Sequence, residues 1–138
     1  MTTNPSVHAR LLGPRHRVHY TAQLFGHHFP FKLEPTVFAM AGKLSGDYSG
    51  GYWHFYALGN GGFYMAPSAD TLFKVQAENS FEGQLTGDSL GVTSCLYAFS
   101  ALSFGRDGFA EVCAEQFHRL RAFAVEHPDW AGIAAAVD

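Results

Sequence analysis

The sequence predicts an α+β fold: a small antiparallel sheet of three or four strands, with a hairpin at about 51–66, packed with about four helices. Two short aromatic runs, 52–58 and 63–66, are joined by Gly59-Asn60-Gly61-Gly62; Asn and Gly accept the positive φ of tight hairpin turns. Two further runs, 72–77 and 81–86, alternate apolar with polar residues, the two-residue period of a strand with one wet face. Beyond residue 88 apolar residues recur at helical spacing. Strands followed by helices are the element order of a segregated architecture, with helices on one face of an antiparallel sheet.

The elements follow in chain order. Residues 1–30 form a mildly basic leader in which His8, His16, His19, His27 and His28 accompany Arg10, Arg15 and Arg17. A short helix within 19–29 is expected to stop at Gly26 and Pro30, and this leader is the part of the chain expected to be partly flexible. Its histidines read as solvated or partly packed, because adjacent histidines point apart on a helix and no carboxylate lies close in sequence. Pro35 suits a first helical turn, and Val37, Phe38, Ala41, Leu44 and Tyr48 mark one stripe, ended by Gly46 and the Gly50-Gly51 pair. In the hairpin, Trp53, Phe55 and Ala57 point one way and Tyr52, His54 and Tyr56 the other; Phe63 and Met65 oppose Tyr64 and Ala66.

Phe73, Val75 and Ala77 then alternate with Lys74 and Gln76 until Glu78-Asn79-Ser80 breaks the run. The segment 81–86 is a fourth strand, or the third continued past a bulge or bend. Asp88 or Ser89 is expected to cap a helix with the stripe Val92, Cys95, Leu96, Phe99 and Leu102. Gly105 ends it and Asp107 caps the next, which buries Phe109, Val112, Cys113, Phe117, Leu120 and Phe123. The opposite side of that helix carries Asp107, Glu111, Glu115 and Arg119, a solvated face with a Glu115–Arg119 pair. Pro128 breaks the helix after His127, and 129–137 reads as a short terminal helix.

Composition narrows the function. With 138 residues, 47% hydrophobic and 15% aromatic, the chain buries a real core and is most simply one domain over 1–138. Nine Lys/Arg against twelve Asp/Glu give a net charge of −3, which argues against a strongly basic nucleic-acid binder. Cys95 and Cys113 stand alone in apolar stripes, as buried reduced thiols of a cytoplasmic protein do. No zinc-ligand spacing and no apolar run near the roughly 18 residues of a membrane span occurs, so neither a metal nor a membrane is expected. The serines lack a nucleophile-elbow context, and Gly59–Gly62 lacks the order of a phosphate loop. His54 with Glu82 or Asp47 is the one acid/base pair worth considering, and a histidine hydrogen-bonded beside tyrosines is its plain alternative. The aromatic face Tyr52, His54, Tyr56 and Tyr64, with Asn60 in the adjoining turn, is the better candidate, a partner-contact surface, because tyrosine is enriched at interfaces.

The block DYSGGYWHFYALGNGGFYMAP, with NSFEGQLTGDSLG at 79–91 and the ending AVEHPDWAGIAAAVD, resembles the ArdB/KlcA family of antirestriction proteins over roughly residues 36–138. That resemblance implies a compact α+β protein of a plasmid, phage or genomic island. Such a protein relieves host restriction, chiefly by type I restriction-modification enzymes, and has no catalytic centre or cofactor of its own. The partner expected for the hairpin's Tyr/His face and its Gly59–Gly62 turn is the restriction complex or an associated host DNA-processing factor. Mimicry of DNA is disfavoured on charge: B-DNA carries one charge per roughly 1.7 Å, so ten base pairs need about twenty negative charges, against twelve carboxylates interspersed with nine cations. Two other classes remain: a small hydrolase or nuclease using His54 and a carboxylate, and a direct DNA-binding module.

Overall fold

The structure, a computed structural model, describes residues 6–138. The hairpin forms as its alternation requires: β2 (Trp53–Leu58) and β3 (Phe63–Pro67) pair antiparallel, with Phe55 opposite Met65 and Tyr56 opposite Tyr64. Gly61 takes a φ of 84° in the link, a conformation in which a side chain is strained. The leader supplies an unforeseen strand. Before β2 in the chain, β1 (Ala9–Leu11) pairs antiparallel with it, Arg10 opposite Ala57, so the sheet order is β1-β2-β3.

Three helical elements precede the hairpin. After β1, α1 (Pro14–Phe25) ends at Gly26, whose φ is 58°. A π-helical turn, Phe29–Leu33, runs without a break into α2 (Glu34–Leu44). The described part of the leader buries Leu12, Phe25 and Phe29. Phe63 is the centre of that core, with ring centroids 5.6 Å from Phe25, 5.8 Å from Phe29 and 5.6 Å from Phe55. The expectation that His27 and His28 point apart fails because Gly26 has already ended α1. Their rings lie 4.2 Å apart, and His28 stacks on Phe109 at 4.5 Å. The part of the leader reading that concerns residues 1–5 lies outside the described residues. Tyr48 also falls off the α2 stripe; beyond the helix end, its hydroxyl accepts the Trp53 Nε1–H at 3.1 Å.

After β3 the chain forms β4 (Phe73–Gln76) and β5 (Glu82–Leu85), which pair only with each other, Val75 opposite Gly83. Among the described residues five strands therefore make two sheets, not one of three or four strands. The reason is α3 (Gly87–Leu102), which occupies the free edge of β3 and leaves no backbone there for β4 to pair with. Gly87, Gly91 and Cys95 lie four residues apart, on one side of α3. A Cβ on Gly91 would stand 2.3 Å from the Ala66 Cβ and 2.5 Å from the Met65 carbonyl oxygen, and one on Gly87 2.7 Å from the Pro67 oxygen. At Cys95 the thiol meets the backbone itself: Sγ accepts the Met65 N–H at 3.5 Å and donates to the Met65 carbonyl at 3.6 Å. All five residues of β3 are buried as a result.

The cap of α3 is Thr86, whose hydroxyl accepts the Ser89 N–H at 3.0 Å, and not Asp88 or Ser89. Asp107 caps α4 (Gly108–Ala124) through the Ala110 N–H at 3.0 Å. That hydrogen bond, and then Lys32 at 3.3 Å, holds the Asp107 carboxyl below its usual range. Glu115 pairs with Arg119 one turn on. A last helix, α5 (Trp130–Val137), packs on α3. The described residues form five α-helices, and α3 touches α2, α4, α5 and β3. Among the described residues no helix is long and apolar enough to cross a membrane.

Two expectations test this packing. Gly91→Ala forces a methyl into backbone it cannot displace and should lower unfolding free energy by about 3 kcal/mol or prevent folding. Urea titration checks this, and a change within error of wild type would mean α3 does not lie on β3 this closely. Burial pushes both thiols from their ordinary value near 9 up to about 12. The unfolded chain therefore ionises them first. Stability they contribute is intact below about pH 9 and falls as pH rises towards 12. Native protein at pH 8 should show no thiol reactive to an aromatic disulfide reagent, and urea-unfolded protein should show both.

Candidate functional site

The hairpin's second face carries Tyr52, His54 and Tyr56 on β2 and its approach, and Tyr64 on β3. Its residues sit at very different depths. Tyr56 and Tyr64 face each other across the strands and stack at 4.6 Å with a 12° tilt. Phe123 of α4 then stacks on Tyr64 at 5.3 Å, leaving Tyr64 only 2% exposed. Its hydroxyl donates to Asp88 Oδ1 at 2.8 Å. The other Asp88 oxygen lies 2.7 Å from His127 Nε2, while His127 Nδ1 accepts the Asp129 N–H at 3.0 Å. The proton on that imidazole therefore sits on Nε2 and points at the carboxylate. Burial, reinforced by the Asp88 charge, raises the Tyr64 hydroxyl well above the usual tyrosine range; burial and then the same charge also raise Tyr56. Tyr64, Asp88 and His127 thus tie β3, the first turn of α3 and the end of α4 together.

Asn60 turns inward as well. Its Nδ2 donates to the Arg119 carbonyl at 2.9 Å and its Oδ1 accepts the Gly62 N–H at 3.0 Å. Arg119 Nη1 and Gln116 Nε2 both donate to the Gly61 carbonyl, at 3.1 and 3.2 Å, and Tyr20 donates to Gly62 at 2.6 Å. The hairpin turn is bolted to α4 and α1, so the side chains of Asn60 and Tyr64 serve the framework in this structure.

Tyr52, His54 and Tyr56 remain open to solvent, Tyr52 at 61% and the other two half-buried. Arg17 on α1 fixes Tyr52: Nη1 donates to its hydroxyl at 2.8 Å and to the Trp53 carbonyl at 3.0 Å. His54 lies edge-on between the tyrosine rings, 5.5 Å from Tyr52 and 6.3 Å from Tyr56. With Tyr56, Asp70 and Asp88 it lines a shallow pocket of about 190 Å³. Neither carboxylate expected beside His54 is engaged with it. Asp47 accepts the Lys74 N–H at 3.0 Å, and Glu82 accepts from Gln76 at 3.3 Å. The acid/base pairs considered from the sequence are therefore not assembled. Asp88, His127 and Arg17 are the site residues that sequence reasoning missed. Asp88 drew notice only as a possible cap, and their partners lie 24, 39 and 35 positions away, beyond any local pattern.

Comparison with known proteins extends these observations. The family described as antirestriction protein matches residues 46–138. An antirestriction protein KlcA of Escherichia coli is 42% identical over 108 residues, covering 76% of this chain and 74% of its own. A second KlcA of Escherichia coli is 33% identical over 141 aligned positions and covers 99% of both chains. The solved structure of the KlcA and ArdB proteins, described as a novel fold with antirestriction activity against type I DNA restriction systems in vivo but not in vitro, is similar throughout. Its TM-score is 0.90 at 33% identity, covering 100% of this chain and 99% of that one. Likeness therefore includes the leader, beyond the residues 36–138 that carry the sequence resemblance. With its α+β arrangement of helices around two small antiparallel sheets, this chain belongs to the antirestriction protein family.

Proposed function

We propose that this protein, acting as one domain in the cytoplasm, relieves restriction by host type I restriction-modification enzymes through protein contact. It serves the mobile element that carries it and has no catalytic step of its own. The observation that carries the reading is the accessible set Tyr52, His54 and Tyr56, presented on a hairpin locked to α1 and α4. Rigid aromatic side chains with polar tips give contact area at low entropic cost. The partner is the restriction complex or a host DNA-processing factor associated with it. Activity of the KlcA and ArdB proteins in vivo but not in vitro is what a requirement for such a further factor would produce.

DNA mimicry fits poorly. Of the twelve carboxylates, Asp107 pairs with Lys32 and Glu115 with Arg119, which thins an already short supply of negative charge. Direct DNA binding is likewise disfavoured by a net charge of −3.

The double variant Tyr52→Ala/Tyr56→Ala should lose restriction relief while remaining folded, measured by plating unmodified phage on a type I host with and without the gene. Unchanged relief from a folded double variant would remove this face from the mechanism. Tyr64→Phe should do the reverse. Losing a hydrogen bond to a carboxylate should cost about 1.5–3 kcal/mol of stability and leave relief in place, since that hydroxyl faces Asp88 inside the protein.

A further inference from the structure

Between α1, the π-helical turn and β2 lies a cleft of about 480 Å³, within the roughly 300–1,000 Å³ of small-ligand sites. Phe29 and Phe55, both nearly buried, form its base, and Val18 and Pro30 stand at its sides. Arg17 and Glu34 also line it. The Arg17 guanidinium lies 3.5 Å over the centre of the Phe55 ring, and only Nη1 is engaged, by Tyr52 and the Trp53 carbonyl. Nε and Nη2 have no acceptor among the described residues. Glu34 has neither a hydrogen-bond nor an ion-pair partner among them. Burial raises its carboxyl, and the Arg17 charge partly offsets this. The two charged groups are too far apart to pair with each other, yet both line one apolar cleft.

A donor and an acceptor over an aromatic base select their ligand. An anion is repelled by Glu34, a cation by Arg17, and a purely apolar group leaves both desolvated without compensation. A secondary amide is uncharged and offers each group a complement, its carbonyl as acceptor for the guanidinium and its N–H as donor to the carboxylate. We propose that this cleft binds a polypeptide segment through one backbone amide and one apolar side chain seated on Phe29 and Phe55. Two further observations favour an occupied surface. The cleft wall is π-helical, an arrangement that is rare and concentrated at functional sites. Val18, at its side, is 69% exposed, apolar area of the kind that marks contact regions. The cleft is distinct from the Tyr52–His54–Tyr56 face, although Arg17 touches both, and the inference stands whether or not that face contacts a restriction complex.

The test is an NMR titration of the isotope-labelled full chain with N-methyl-3-phenylpropanamide, which has one secondary amide and one phenyl group. Saturable shifts at residues 17–34 and 55 are expected, with a dissociation constant on the order of a few millimolar for a ligand this small. Methyl 3-phenylpropanoate, whose ester lacks the N–H, should bind about tenfold more weakly. Glu34→Ala removes a side chain without a protein partner, so its thermal midpoint should match wild type. It should weaken the amide by the same factor and no longer distinguish amide from ester. Three results would overturn the proposal: no saturable shift, equal binding of amide and ester to the wild-type chain, or ethylbenzene binding as tightly as the amide. If Glu34→Ala proves unstable, the amide–ester comparison on the wild-type protein decides alone.

Discussion

The close seating of α3 on the edge of β3 is the contact from which the rest of this structure follows. A strand edge presents N–H and C=O groups that must find partners when buried. Here the Met65 pair meets the Cys95 thiol, and absent side chains at Gly87 and Gly91 let the helix backbone come near enough for that. Once α3 is there, β3 is covered, β4 and β5 must pair with each other, and α2, α4 and α5 gather round a helix that is buried on nearly every side. The same seating delivers Asp88 beneath Tyr64. A helix backbone thus takes the place of a fourth strand.

Local chemistry made much of this readable. The Gly/Asn link, the strict alternation of Trp53, Phe55 and Ala57, the stop at Gly26 and the cap at Asp107 each follow from short-range rules, and each lies where those rules put it. What escaped was set by distant parts of the chain. β1 is three residues long and exposed along its length, so it has no periodicity to display and exists because β2 offers it an edge. The split into two sheets depends on a helix that begins after the strands it separates. Thr86 is the cap because α3 already begins at Gly87, which puts Asp88 and Ser89 inside its first turn.

The candidate site shows the same division more sharply. Alternation correctly put Tyr56 and Tyr64 on one face, since direction along a strand is a local property. Depth is not. Tyr64 disappears under Phe123 and Asn60 is held by the Arg119 carbonyl, 59 positions further on. Both α4 residues had seemed ordinary, Phe123 as one of a buried stripe and Arg119 as half of a helix ion pair. Accessible aromatic area shrinks to Tyr52, His54 and Tyr56, and the framework around it proves stiffer than a glycine-rich hairpin suggests.

Both edges of the hairpin are closed by segments from opposite ends of the chain, β1 before it and α3 after it. During synthesis, at roughly 5–20 residues per second, the aromatic strands leave the ribosome seconds before residues 87–102 exist to cover them. For that interval β3 presents an open edge to every other nascent chain. A burst of synthesis exposes many such edges at once, and edge-to-edge pairing between copies is the hazard that the arrival of α3 removes.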